Sequence, residues 1–217
     1  MDQKIRADAS DSIEVGNAYL GMLDQALDAT QKKKFLERAE GEYLKAIALL
    51  AGHSDSLSVR AYRGLGFAKR LLCHDPKEIL VVQRQTVELS RQLERERGGI
   101  AFLSDLVKDL ARESITHEEM GFEEEARECA QEVVDGYKEL VDRDPEQFLV
   151  GSAASCVRLG ELWQKAKQAL EANEQFLMAS IRLQRLSKDF PTERDQLSCK
   201  IEGCLVAVLI ELKKTSV

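Results

Sequence analysis

The chain has 217 residues, with 31 Lys+Arg against 38 Asp+Glu and a formal net charge of −7. That length suits one domain or one repeat array, and the acidic balance disfavours nucleic acid or an anionic membrane as main partner, since both need a basic footprint. Three prolines, 13 glycines and 6% aromatics among 32% charged residues argue against a large sheet and fit a helical protein.

In chain order, residues 11–28 read as a first helix, with Ser10 or Ser12 as its N-cap. Thr30 is placed to cap the second, which carries Phe35, Leu36, Ala39, Tyr43, Ile47 and Leu50 and stops at Gly52. The polar stretch from Gly52 to Ser56 is a loop, and a third helix follows over about 56–73. Asp75-Pro76 is an N-cap followed by proline at the first helical position, so the fourth helix starts there and runs to Gly98-Gly99. Helices over 100–120 and 122–143 come next, separated by Gly121 and stopped by Asp144-Pro145. A further pair, 146–163 and about 166–189, stops at Phe190-Pro191. Thr192 with Asp195 three residues on resembles a capping box for a ninth helix over about 193–213.

A pattern recurs across these elements. Ala39, Tyr43 and Ala46 stand at i, i+4, i+7, as do Val82/Thr86/Leu89, Ala126/Ala130/Val133 and Ala172/Phe176/Ala179. Such spacing lays small or apolar side chains along one helix stripe. Its return every 43 to 46 residues implies one helical hairpin per repeat, each covering its stripe with the next. The expectation is a single all-α domain over 1–217: antiparallel hairpin repeats at about 11–52, 54–98, 99–145 and 146–191, stacked as an α-solenoid of about nine helices. The segment 192–213 caps the end. The alanines of the stripe should lie at tight helix contacts, with Glu124 and Glu171 solvated on the opposite face.

The last full repeat carries a family resemblance. Leu159-Gly160, Trp163, Ala172, Phe176 and Ala179 reproduce the tetratricopeptide (TPR) spacing of Leu-Gly, aromatic, Ala, aromatic, Ala. Leu110, Ser114, Gly121, Ala126 and Ala130 match it in degenerate form, Tyr62-Leu65-Gly66 fit its first-helix spacing, and Leu20-Gly21 echo it. The sequence departs in its long repeats, in a terminal proline displaced by an extended second helix, and in Lys167, which stands where a turn glycine is expected. The resemblance is to extended, degenerate TPR-like arrays. It implies that the first helix of each hairpin lines a concave groove for a protein or peptide. Its second, fifth, ninth and twelfth repeat positions fall on Arg60, Arg63, Phe67 and Arg70 of the third helix. On the fifth helix the second position is Lys108, with Arg112 one turn on.

Other motifs carry less. His117-Glu118-Glu119-Met120-Gly121 begins like a zinc-protease helix, but Gly121 stands where the second histidine is required. Glu113 and His117 are i, i+4 neighbours, yet no second Glu-x-x-His copy exists for a di-iron bundle. Gly64-Leu65-Gly66 and Gly98-Gly99 lack the strand context of a phosphate loop. The five cysteines form no C-x-x-C pair and read as small buried thiols of a reducing compartment. The start, Met1-Asp2-Gln3-Lys4, lacks an apolar leader, so a cytoplasmic location is expected. The functional expectation is a non-enzymatic adaptor or regulatory subunit that binds an acidic or extended peptide. No cofactor, metal, nucleic acid or membrane is expected. The alternative is a helical array that self-assembles into homo-oligomers.

Overall fold

The computed structural model describes residues 2–185 and 191–215, with side chains left undescribed at 191–194, 209, 211 and 213–215. Nine α-helices make up these residues: α1 (Gln3–Gly21), α2 (Ala29–Leu49), α3 (Ser56–Leu71), α4 (Pro76–Arg97), α5 (Ile100–Glu119), α6 (Glu123–Arg143), α7 (Pro145–Lys165), α8 (Ala169–Gln184) and α9 (Pro191–Thr215). A short 3₁₀ turn (Leu23–Gln25) follows α1. No strand occurs among the described residues. The contacts divide the chain into two compact units, Met1–Phe102 and Leu103–Val217.

Most helix starts are set by side chains that accept from exposed backbone N–H groups. Asp75 and Asp144 cap α4 and α7, each ahead of a proline whose missing N–H costs nothing at that position. Asp55 accepts from the backbone N–H groups of Leu57 and Ser58, both at 3.0 Å. Two expected caps are corrected. The first helix begins at Gln3, where Asp2 accepts from Lys4 N at 2.9 Å, so Ser10 and Ser12 lie inside it and Ser12 is buried. The second is capped by Asp28, which accepts from Gln31 N at 2.7 Å, with Thr30 already helical. The expected capping box at Thr192 and the end of the eighth helix near 189 lie outside the described side chains and residues.

In the first unit, α1 and α2 pair antiparallel, α3 packs on both α2 and α1, and α4 packs on α3. The core stripe Ala39, Tyr43 and Ala46 is fully buried among Ile13, Leu50, Ala61, Leu65 and Ala68. Close approach is made possible by glycine. A Cβ on Gly16 would stand 2.9 Å from Cε1 of the Tyr43 ring, and one on Gly64 would collide with the same ring.

The second unit follows the same rule. There α6 packs on α7, α7 on α8, and α9 covers both α8 and α7. Ala126, Ala172, Phe176 and Ala179 are fully buried, whereas Glu124 and Glu171 are exposed. Gly160 of the Leu159-Gly160 pair meets Phe176, where an added Cβ would lie 2.7 Å from Cε1. The eighth helix starts at Ala169, later than 166, because Ala166 still closes α7 and Lys167 turns the chain at φ +59. Lys167 thus adopts the left-handed conformation for which the repeat motif would use glycine.

The expectation of buried cysteines needs correction. Cys156 alone is fully buried; Cys129 and Cys204 are half-buried, and Cys73 and Cys199 are exposed. No described helix is long and apolar enough to cross a membrane.

Candidate functional site

The six residues expected to line a groove fall on two helices, one in each unit. On α3, Arg60, Arg63, Phe67 and Arg70 lie within an arc of about 80° at 100° per residue. The buried stripe of Leu57, Ala61, Leu65 and Ala68 faces away from them. Phe67 is 52% exposed, a large apolar side chain on the same arc as the three arginines.

The surroundings of this face are ordered. Arg60 donates to Glu14 of α1, 46 residues earlier in the chain. Beneath them Tyr43 donates to Asn17 Oδ1 at 2.8 Å. Burial, reinforced by Glu14 and opposed by Arg60, pushes the Tyr43 hydroxyl pKa up to about 12. At the C-terminal end of α3, Lys69 donates to Glu78 at 2.8 Å and stands 3.3 Å from Glu40, tying α3 to α4 and α2. Burial alone would lower the Lys69 pKa, but these carboxylates hold it above its ordinary value. Hydrogen bonds from Lys69 and His74 in turn hold Glu78 below the usual carboxylate range.

In the second unit, Lys108, Arg112 and Ile115 share an exposed arc of about 60° on α5, with Lys108 between the other two in angular position. Each has a local acid partner: Lys108 lies 3.8 Å from Asp105, and Arg112 donates to the buried Asp109 at 2.8 Å. Arg60, Lys108 and Arg112 thus have acid partners and Arg63 and Arg70 are engaged locally as well, so the positive surplus on these faces is smaller than sequence alone implies.

Beside Ile115 lies a pocket of about 240 Å³ among α5, α6 and α7. Ala111, Ser114, Ala130, Val133, Tyr137, Gly151 and Ala154 line it, with Ser155 and Arg158 also on its wall. Arg158 and Lys165 of α7 both donate to Glu118 of α5. Burial works to raise the Glu118 pKa, and these two hydrogen bonds outweigh it and hold the carboxyl below its ordinary range.

Sequence reading missed Glu14, Asn17, Ile115 and Arg158 as parts of these surfaces. The Gly16-Asn17 pair, one turn before Leu20-Gly21, was an available signal, since a buried glycine beside a polar residue marks close helix approach. One group of metal-capable side chains is present among the described residues: Glu113, His117 and Cys129, all in the second unit.

No family model and no curated protein matches the chain. Solved structures do. A kinesin light chain-type protein of Podosopora anserina with nearly identical TPR-like repeats aligns over 99% of both chains, with 16% identity and a TM-score of 0.60. BtubC (BKLC) of P. vanneervenii aligns over 99% of this chain and 93% of its own, with 12% identity and a TM-score of 0.60. At such identities the likeness concerns backbone architecture alone. With the antiparallel hairpins and the Gly–aromatic packing of both units, it establishes that this chain has the TPR-like helical-repeat fold, an α-solenoid of paired helices.

Proposed function

We propose that this chain is a non-enzymatic interaction module, an adaptor or regulatory subunit of the cytoplasm. Its ligand is an acidic, extended peptide or protein segment, held in a concave groove lined by the exposed arc of α3. The observation that carries this reading is Phe67, 52% exposed on the same arc as Arg60, Arg63 and Arg70. An exposed apolar ring on one helix arc with three arginines fits a segment that alternates carboxylates with an apolar anchor. The guanidiniums supply planar donors for carboxylates, and burying the ring supplies apolar area that a fully solvated partner lacks. Lys108 and Arg112, which share an exposed arc with Ile115 on α5, offer the same chemistry in the second unit.

A displayed library of acidic peptides, each with one aliphatic or aromatic residue, tests this reading on the full chain. Enrichment of such peptides, lost in Phe67→Ala, supports it; enrichment of basic or uncharged peptides, or binding indifferent to Phe67, contradicts it.

A second reading, self-assembly, has its own observation. Leu170, Leu177, Met178 and Ile181 of α8 are exposed at 67%, 47%, 43% and 53% and share an arc of about 100°. Mass measured across a dilution series separates the two: a constant monomer mass retires the self-assembly reading.

A further inference from the structure

We propose that Glu113, His117 and Cys129 form a zinc-class metal site between α5 and α6. Their ligand-capable atoms all lie within 4.8 Å of one another, although the residues come from two helices on either side of the Gly121 turn. The His117 Nε2 atom is 3.5 Å from Glu113 Oε1. Around a tetrahedral ion with Zn–N and Zn–O bonds of about 2.0 Å, adjacent ligand atoms stand about 3.3 Å apart, and a sulfur ligand a few tenths further. The Glu–His pair therefore already has coordinating separation, and the sulfur needs a movement of at most about 1.3 Å.

Two further features support a site at this position. Glu113 and His117 are 7% and 2% exposed, so the two ligands are held by packing, whereas half-buried Cys129 leaves a route for an ion. The two helices are also pinned together here. Ser114, next to Glu113, donates to the backbone oxygen of Ala126, one turn before Cys129, at 2.7 Å. The Phe122 ring packs tilted against the His117 ring, with centroids 6.1 Å apart.

The donor set favours zinc over its competitors. One thiolate, one imidazole and one carboxylate suit a borderline ion, whereas calcium and magnesium prefer oxygen alone. Three protein ligands leave a fourth position for water, the open arrangement of zinc sites that are not purely structural. Binding requires the Cys129 thiolate, so the thiol proton leaves as the Zn–S bond forms and affinity rises with pH. The ligand that Gly121 denies to the His117-Glu118 helix is supplied by Cys129 from the next helix.

Cobalt(II) titration of the reduced, chelator-stripped full chain is the direct test, followed by displacement with zinc(II). The expected result is one ion per chain, a thiolate-to-cobalt charge-transfer band with four-coordinate visible bands, and an increase in melting temperature. Cys129→Ser should abolish the charge-transfer band, and Glu113→Gln and His117→Gln should each weaken zinc binding at least about tenfold. Exposed Cys73→Ser and Cys199→Ser should change neither. Should Cys129→Ser fold poorly, Cys129→Ala serves in its place, with helicity checked by circular dichroism. A charge-transfer band that survives loss of Cys129, a band removed by Cys73→Ser or Cys199→Ser, or no stoichiometric binding overturns the proposal.

Discussion

Gly64 and Tyr43 occupy space that no larger pair could share: the Tyr43 ring lies where a Cβ on Gly64 would have to be. Gly64→Ala should therefore destabilise the chain by about 1–3 kcal/mol, as overpacking in a filled core does. Gly41, in the middle of α2 with nothing within 4 Å of its missing Cβ, provides the contrast. Gly41→Ala should stabilise by about 0.5–1 kcal/mol through helix propensity and a less entropic unfolded chain. Chemical denaturation of the two variants measures opposite signs if the packing is as described.

The same tyrosine gives a pH signature. Burial raises its pKa from 10.0 to about 12 in the folded chain. A group with a raised folded pKa contributes stability that is complete below its unfolded value and lost as pH rises through the folded one. Urea midpoints should thus fall between pH 10 and pH 12 in the wild type. Tyr43→Phe, though less stable at neutral pH for want of the bond to Asn17, should show a shallower fall across that window. Parallel curves would place the hydroxyl in solvent.

Lys167 holds φ +59 and Cys73 φ +57, the left-handed region that disfavours side chains. Lys167→Gly should relieve about 1 kcal/mol and raise the denaturation midpoint, because its turn conformation suits glycine. A lower midpoint would mean that the Lys167 side chain contributes more than its backbone costs.

Removing α9 should expose Phe176, Leu183 and the stripe they share with Ile201 and Val208, both buried in the intact chain. A chain ending at residue 190 should melt at lower temperature and associate in size-exclusion chromatography. Unchanged melting of a monomeric product would make α9 an appendage.

Local chemistry was readable wherever one helix carried its own signal. Asp75-Pro76 and Asp144-Pro145 declare their helix starts because the cap and the proline act within two residues of each other. The 4-3 spacing of Ala39, Tyr43 and Ala46 likewise announces a buried stripe. Competing caps were harder to rank: Asp2 and Asp28 win over Ser12 and Thr30, whose hydroxyls look equally suitable in one dimension. Relations between helices were the least readable. Arg60 meets Glu14 across 46 residues, and Cys129 meets His117 across a turn; both depend on helix rotation and crossing, which no local pattern encodes. The charge of the expected groove was overestimated for the same reason, since the partner of Arg60 comes from another helix.

The central claim is that the α3 face of the first unit captures an acidic segment around Phe67. The most direct measurement is the affinity of a fluorescent acidic peptide with one apolar anchor for the full chain and for Arg63→Glu/Arg70→Glu, at low and high salt. Each charge-assisted contact contributes about 1.5–3 kcal/mol, so the double reversal should weaken binding by about a hundredfold or more. Wild-type affinity should fall with salt, as screening over about 10 Å at 0.1 M requires. Equal affinity of both proteins, with circular dichroism showing both folded and with no salt dependence, would contradict the claim.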